Sequence, residues 1–513
     1  MNNKEIAFIR EGTYLFFGKL FEKFIRYVLL ASVTFLISPP DFGQFVFAFS
    51  AMSLIYKLGS GNLERAITYF VPQLIAEDRT SEAGGVARHI GSILIVITLL
   101  LTIAVILLAE PVMGLLDRSE DAELFIFVAP LLILFGMRDI VSQILLSLSM
   151  GKYESLMRSI LFPLLRLILT VTFLLFFTSI LALVLGVVFA WSIAIVVGAY
   201  ILYRSDFPVR SGMGSSVSGR EIFRYSAPLT LTGIVGGIRS EIDLLLLGLL
   251  ASTGAPALFK IAFSVAALTK LPAETVKSIA KPLYAKVSNN PSNGELHEFY
   301  FTSARWTGFV TVMVSVIIIA GASPIIELLF DNSYSGASIA VPVLAFGMAF
   351  SFFFGHIQMF LEGTDNTDTV FFHTVIILVV NAVLDILLIP SYGILGAAVG
   401  TTVGIVAGYV YALYYITNQF DITPVTREQV VYLFAGAFAF IGASLIMRAF
   451  EGLVSLAVLL PTGLIIYTVI TVVMKGFIQK DVEVARKIEI KIQQRFGWSP
   501  PFLMRIVAYG ARE

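Results

Sequence analysis

The chain contains no cysteine, and that absence removes disulfides, thiolate metal sites and cysteine nucleophiles together. Charge is scarce as well: Asp, Glu, Lys and Arg make up 14% of 513 residues and cancel to a formal net charge of zero. Such a balance offers no global field to nucleic acid or to an acidic partner, so what matters is where the basic residues sit. Long polar stretches are missing, and with them the room for a soluble domain. No Gly-rich phosphate loop, nucleophile elbow, zinc spacing or catalytic carboxylate pair occurs, which leaves no basis for an enzyme and no call for a cofactor or resident metal.

What fills the chain is apolar. Hydrophobic residues reach 57%, with 43 Phe, and apolar segments of about 20 residues recur from end to end, as helical spans require and barrel strands do not. The expected fold is an all-α integral membrane protein of about 14 transmembrane helices. Their limits are 12–36, 42–70, 89–109, 122–148, 158–177, 180–203, 222–250, 255–280, 303–323, 336–361, 369–390, 393–417, 429–449 and 453–475. The first carries Lys19, Glu22, Lys23 and Arg26 without a small-residue cleavage site, so it reads as a retained span rather than a signal peptide. With the N-terminus inside, Arg118 and Arg448 are the only Lys or Arg that fall in outer loops. This predicts a multi-pass protein of the cytoplasmic membrane with both ends in the cytoplasm.

An internal repeat orders the spans. Leu185-Gly186 followed by Ile195, Val196 and Gly198 recurs as Leu395-Gly396 followed by Ile405, Val406 and Gly408, and Pro72 recurs as Pro282. The copies are six spans apart, an even number, so they share one orientation. The predicted organisation is an N-lobe (1–203), a cytoplasmic linker (204–224) rich in Gly, Ser and Arg, a C-lobe (225–420), two added spans (421–476) and a cytoplasmic tail (477–513). In the tail, Val484, Ile488 and Ile492 suit a surface helix on the inner leaflet, although the local alternation is also strand-like.

Ionisable residues inside spans are costly and normally face a bundle interior or a watery cavity. The run GGIRSEIDLLLLGLL (236–250) holds Arg239, Glu241 and Asp243, with Arg239 and Asp243 four apart and able to pair. In the first span, Lys19, Glu22, Lys23 and Arg26 share one helical face, and in the eighth Lys270, Glu274, Lys277 and Lys281 do the same. Snorkelling is the plainer reading for Lys19 and Lys23, and inner-face anchoring for Lys277 and Lys281. Within spans, basic residues, Lys57, Arg65, Arg138 and Arg166 among them, outnumber acids. Opposed lobes would then line an anion-binding cavity suited to a phosphate or diphosphate head group. Arg239 with Asp243, Glu64 with Arg65 and Arg138 with Asp139 also read as structural pairs, the last two needing partners on other spans because neighbours point different ways. Asp385 and Glu362 are candidates for binding Na⁺ or a proton in coupled transport. His356 and His373 are too far apart to suggest a metal site.

From Asn381 to Gly400 the chain reads NAVLDILLIPSYGILGAAVG. An Asn-bearing span ending in Ile-Pro, a short Tyr-Gly turn and Gly-Ala-Ala opening the next span resembles the polysaccharide and oligosaccharidyl-lipid flippases of the multidrug/oligosaccharidyl-lipid/polysaccharide exporter superfamily. Asp41-Phe42-Gly43 with Gly59–Pro72 (GSGNLERAITYFVP), and Asp243–Gly248 followed by Ala257–Ala262, are similar to the same family. The resemblance implies two six-helix lobes with two added spans, and translocation of a lipid-linked oligosaccharide across the membrane, with membrane lipid as a partner. Alignment through Tyr69-Phe70-Val71-Pro72 sets Arg26 on a basic position that the family's peptidoglycan-precursor flippase uses for diphosphate, with Lys19 or Lys57 near others.

The resulting expectation is a flippase for a polyprenyl-(di)phosphate-linked oligosaccharide in cell-surface polysaccharide or glycoprotein glycan assembly. Lys19, Lys23, Arg26, Lys57, Arg239 and Lys270 would bind substrate; Glu241, Asp243 and Asp385 would orient or couple. The rivals are a cation-coupled multidrug exporter, disfavoured by the basic excess, and a membrane-embedded glycan polymerase, which lacks the outer loop or acidic domain it would need.

Overall fold

The structure, a computed structural model, describes residues 21–205, 207–208, 217–271, 273, 293–423, 425–447, 452–496 and 502–512. Lys19, Glu274, Lys277 and Lys281 lie outside the described residues, as does most of the linker. The fold is helical throughout its spans: eleven helices among the described residues are long and apolar enough to cross a membrane. Two compact units divide the chain, Met1–Lys260 and Ile261–Glu513. This contact boundary falls later than the linker between the sequence repeats because the seventh span packs along the second.

In the first unit, α1 is helical over 21–34, followed by α2 (Pro39–Ser60), α3 (Arg65–Ala76), α4 (Thr80–Leu115), α5 (Ala122–Val128), α6 (Leu131–Ser147), α7 (Gly151–Ser155), α8 (Phe162–Phe176), α9 (Ile180–Arg204) and α10 (Gly219–Leu250), and the unit ends partway along α11 (Ala255–Ala266). Local chemistry sets the starts. Ser38 caps α2 ahead of two prolines whose missing N–H groups cost nothing at N1 and N2. Ser218 and Glu221 close a capping box on α10.

The span expected over 42–70 is two helices. Gly61 and Asn62 both take φ of 55°, a left-handed turn that ends α2, and α3 restarts at Arg65. The helix α10 runs against α2 in the opposite direction, because Gly233, Gly237 and Gly248 let it close onto Asn62, Lys57 and Phe47. The turn after α10 seats on the start of α2, where a Cβ at Gly43 would lie 1.9 Å from the Thr253 carbonyl oxygen. Gly43→Ala must therefore displace backbone, and we expect a loss of about 1–3 kcal/mol, read as a lower melting temperature of the purified protein.

The second unit holds α12 (Asn293–Ala320), α13 (Ala322–Leu329), α14 (Val341–Phe353), α15 (Ile357–Gly363), α16 (Thr367–Tyr392), α17 (Ile394–Phe420), α18 (Arg427–Met447), α19 (Gly452–Val473), α20 (Gln479–Phe496) and α21 (Phe502–Gly510). The span expected over 336–361 is also broken, at Gly355 with φ of 87°. Tyr300 Oη donates to the Phe354 carbonyl at 2.7 Å and Gln429 Nε2 to that of Phe353 at 2.8 Å, meeting acceptors that the break frees. The turn between α16 and α17 reduces to Gly393, with φ of 54°.

The tail is helical over Gln479–Phe496, which decides against the strand-like reading. Its start is tied to α12 and to the end of the chain. Arg305 Nη2 meets Asp481 Oδ1 at 3.0 Å, the Ile478 N–H donates to Asp481 Oδ2 at 3.0 Å, and Phe477–Ile478 pairs in parallel with Ala511–Arg512. Ala485 and Val507 pack there with Phe477 and Trp306.

Candidate functional site

A polar cavity of about 440 Å³ opens within the first unit, walled by α1, α2, α3, α6, α8 and α9. On α2, Phe49, Ser53, Tyr56, Lys57 and Ser60 share one face by their spacing of three and four. The break after Ser60 delivers Asn62, Glu64 and Arg65 to the rim, so the left-handed turn is what brings two charged neighbours inward. From α8 come Phe162 and Arg166, and Arg158 precedes them on a π turn spanning Leu156–Leu161. Pro163 has no N–H to continue an α ladder there, and the wide turn returns Arg158, Phe162 and Arg166 to one wall.

Six basic side chains line this cavity, Arg26, Lys57, Arg65, Arg138, Arg158 and Arg166, against Glu22, Glu64 and Asp139. Three of the six are neutralised. Arg26 pairs with Glu22 one turn back. Lys57 Nζ meets Glu241 Oε1 of α10 at 2.7 Å, and that oxygen also accepts from Ser53 Oγ at 2.9 Å. Arg138 holds its own neighbour Asp139 with two bonds of 2.7 Å, and Tyr56 Oη adds a third at 2.8 Å. Arg65, Arg158 and Arg166 form no ion pair among the described residues, and Arg166 Nε is buried without a hydrogen-bond partner. Three guanidinium groups thus stand against the single carboxylate of Glu64.

Aromatic rings hold two of the arginines. The Arg138 guanidinium lies 5.1 Å from the ring centroids of both Phe135 and Trp191, and that of Arg166 lies 5.8 Å from Phe49. Phe162 stacks on Trp191 at 3.6 Å. Rings of this kind keep water sparse beside the charges, which strengthens attraction for an anion. An unpaired guanidinium presents a planar fork of donors matched to two phosphate oxygens at once.

The structure treats the sequence-derived candidates unequally. Arg26 and Lys57 reach the cavity. Lys23 is half-buried on α1 but does not line it. Arg239 is exposed on α10 while Asp243 is buried, and Glu241 between them pairs with Lys57. Lys270 belongs to the second unit, its Nζ 5.5 Å from the Phe263 ring centroid. Asp385 is fully buried on α16, close enough to α17 that a Cβ at Gly400 would lie 2.1 Å from its Oδ1.

The expectation that Arg138 and Asp139 need partners on other helices is corrected. The arginine stem is long enough to curl back on its neighbour, and Tyr56 fixes the carboxylate. Among the described residues there is no His, Cys, Asp or Glu cluster able to hold a metal. His373 instead packs edge-on against Tyr409 at 4.8 Å. Sequence reasoning did not place Arg65, Arg138, Arg158 or Arg166 in the site. For Arg158 and Arg166 the signal was available in the four-residue steps from 158 through 162 to 166.

The family model described as polysaccharide biosynthesis protein matches residues 8–273. A curated relative, the probable low-salt glycan biosynthesis flippase Agl15 of Haloferax volcanii, is 22% identical over 257 residues, 50% of this chain and 54% of that protein. The chain therefore spans about half the length of that relative. Among solved structures, the lipid II flippase MurJ in an inward closed conformation superposes with a TM-score of 0.70 at 17% identity, covering 91% of this chain and 98% of that one. An inward-facing multidrug resistance MATE family transporter of the MOP superfamily gives 0.64 at 17% identity, with 76% and 93% covered. At such identities the likeness is one of fold. With more than half of its length matched by the family model, the chain belongs to the polysaccharide biosynthesis protein family.

Proposed function

We infer that this chain moves a polyprenyl-(di)phosphate-linked oligosaccharide from the cytoplasmic to the outer face of the cell membrane, with both chain ends in the cytoplasm. The observation that carries this reading is the trio Arg65, Arg158 and Arg166, without carboxylate partners in one aromatic-walled cavity. Their forks would take the phosphate oxygens. Arg26 and Lys57, each already tethered to an acid, would shift onto the incoming head group as it arrives. Arg239 and Lys270 remain proposed contacts for other stages of transport. The prenyl chain stays in lipid throughout, so only the head crosses. Glu241 would orient Lys57, while Asp243 and the buried Asp385 are the proposed sites for a coupling Na⁺ or proton.

The MATE transporters share the fold, yet a cavity with surplus guanidinium repels a cationic drug. Proteoliposomes decide between the two. Protein reconstituted with an undecaprenyl-diphosphate-linked oligosaccharide should carry it to the far leaflet, read by lectin accessibility, and should not accumulate ethidium. Ethidium transport without glycan transfer would overturn the assignment.

A further inference from the structure

A second, differently built cavity lies in the second unit, where α21 folds back on the end of α19. It measures about 680 Å³ and is floored by the α19 face from Leu464 to Val473, with Arg505, Ile506 and Tyr509 of α21 along its rim. The nine-residue rise of that floor corresponds to about 14 Å of helix, close to one leaflet of a hydrocarbon core roughly 30 Å thick. Basic groups gather at the end beside α21. Lys475 Nζ donates to the Tyr509 carbonyl at 2.7 Å, and Arg427 Nη1 reaches the Lys475 carbonyl at 3.4 Å. Arg505 is exposed and forms no ion pair among the described residues. The nearby Glu489 carboxylate accepts from the Met504 N–H at 2.9 Å. The parallel pairing of Phe477–Ile478 with Ala511–Arg512 anchors α21, so the groove is formed in advance of any occupant.

We propose that this groove is a binding site for one anionic phospholipid of the surrounding membrane, its phosphate on Arg505 and one acyl chain laid along Leu464–Val473. An apolar trough one leaflet long, ending at a free guanidinium and a tyrosine ring, matches a lipid at both its parts: the chain meets only hydrocarbon and the single Thr468 hydroxyl, and the head meets charge. The lipid would fill the gap between the tail and the last span. It would also make docking of the tail depend on the charge of the membrane. The site shares no residue with the cation-lined cavity, and its occupant is not the transported substrate.

The full chain, purified in mild detergent, is titrated with phosphatidylglycerol and separately with phosphatidylcholine of the same chain length, and bound lipid is counted by native mass spectrometry. Wild type should hold phosphatidylglycerol in preference. Arg505→Gln should lower that affinity by roughly fivefold, the contribution of one basic side chain at a membrane surface. Val469→Trp, which fills the trough, should weaken both lipids; if it fails to fold, Ile465→Trp on the same face takes its place. Arg505→Gln alters an exposed side chain that forms no ion pair, so it tests the head group without endangering the fold. Equal affinity of wild type for the two lipids, or an unchanged affinity in Arg505→Gln, overturns the site. So does retention of a polyprenyl phosphate, lost in Val469→Trp, with no phosphatidylglycerol bound.

Discussion

Reconstituted protein carrying Arg158→Ala together with Arg166→Ala should transfer lipid-linked oligosaccharide about 10²–10⁴-fold more slowly than wild type while remaining folded in the membrane. The magnitude follows from two charge-assisted hydrogen-bonding groups at about 1.5–3 kcal/mol each. Neither arginine forms an ion pair among the described residues, and the buried Asp139 keeps its two bonds from Arg138 when they are removed, so the loss should appear in transport more than in stability. Arg138 behaves differently: its replacement exposes Asp139 without a counter-charge and confounds the two effects. Arg166→Lys separates charge from shape. It keeps a point charge but loses the fork, and should recover only part of the rate. Wild-type transfer by the double alanine variant would remove the cavity from the mechanism.

The second large effect concerns the tail. Arg305 and Asp481 are 7% and 1% exposed at their side chains, and Asp481 also receives the Ile478 N–H. Arg305→Ala leaves that carboxylate buried without its cation, a change worth about 3–5 kcal/mol. The outcome should be release of 477–512 rather than unfolding of the spans, because the pair joins the tail to α12 and to no other span. Hydrogen–deuterium exchange of that segment should rise towards the free-chain rate while the core of α16 and α17 stays protected. Arg305→Met with Asp481→Leu, which removes both charges, should restore much of the protection. Exchange in Arg305→Ala that matched wild type would show that the tail is held by its apolar contacts alone.

Most of the fold was legible because a bilayer imposes a length on each apolar run. The limits 180–203 and 393–417 fall within a few residues of α9 and α17. What was not legible was where a span breaks, since hydropathy does not register a left-handed φ such as those at Gly61 and Gly355. The site was legible in kind and only partly in membership. An excess of basic residues inside spans pointed to an anion, and Arg26 and Lys57 do reach the cavity. Pairing was misjudged where it depended on tertiary contact. Glu241 reaches Lys57 across two helices, and Arg138 bends back to Asp139, neither of which follows from spacing along one helix. Arg158 and Arg166 were missed although the four-residue steps from 158 through 162 to 166 place them on one wall.

On α17, Gly396, Gly400, Gly404 and Gly408 recur at every fourth position, and at each the backbone or side chains of α16 occupy the space a methyl group would need. Two rods seated that closely cannot slide without driving atoms into one another or opening voids. They should behave as a single stiff plank, leaving any bending that transport demands to the joints at Gly61 and Gly355.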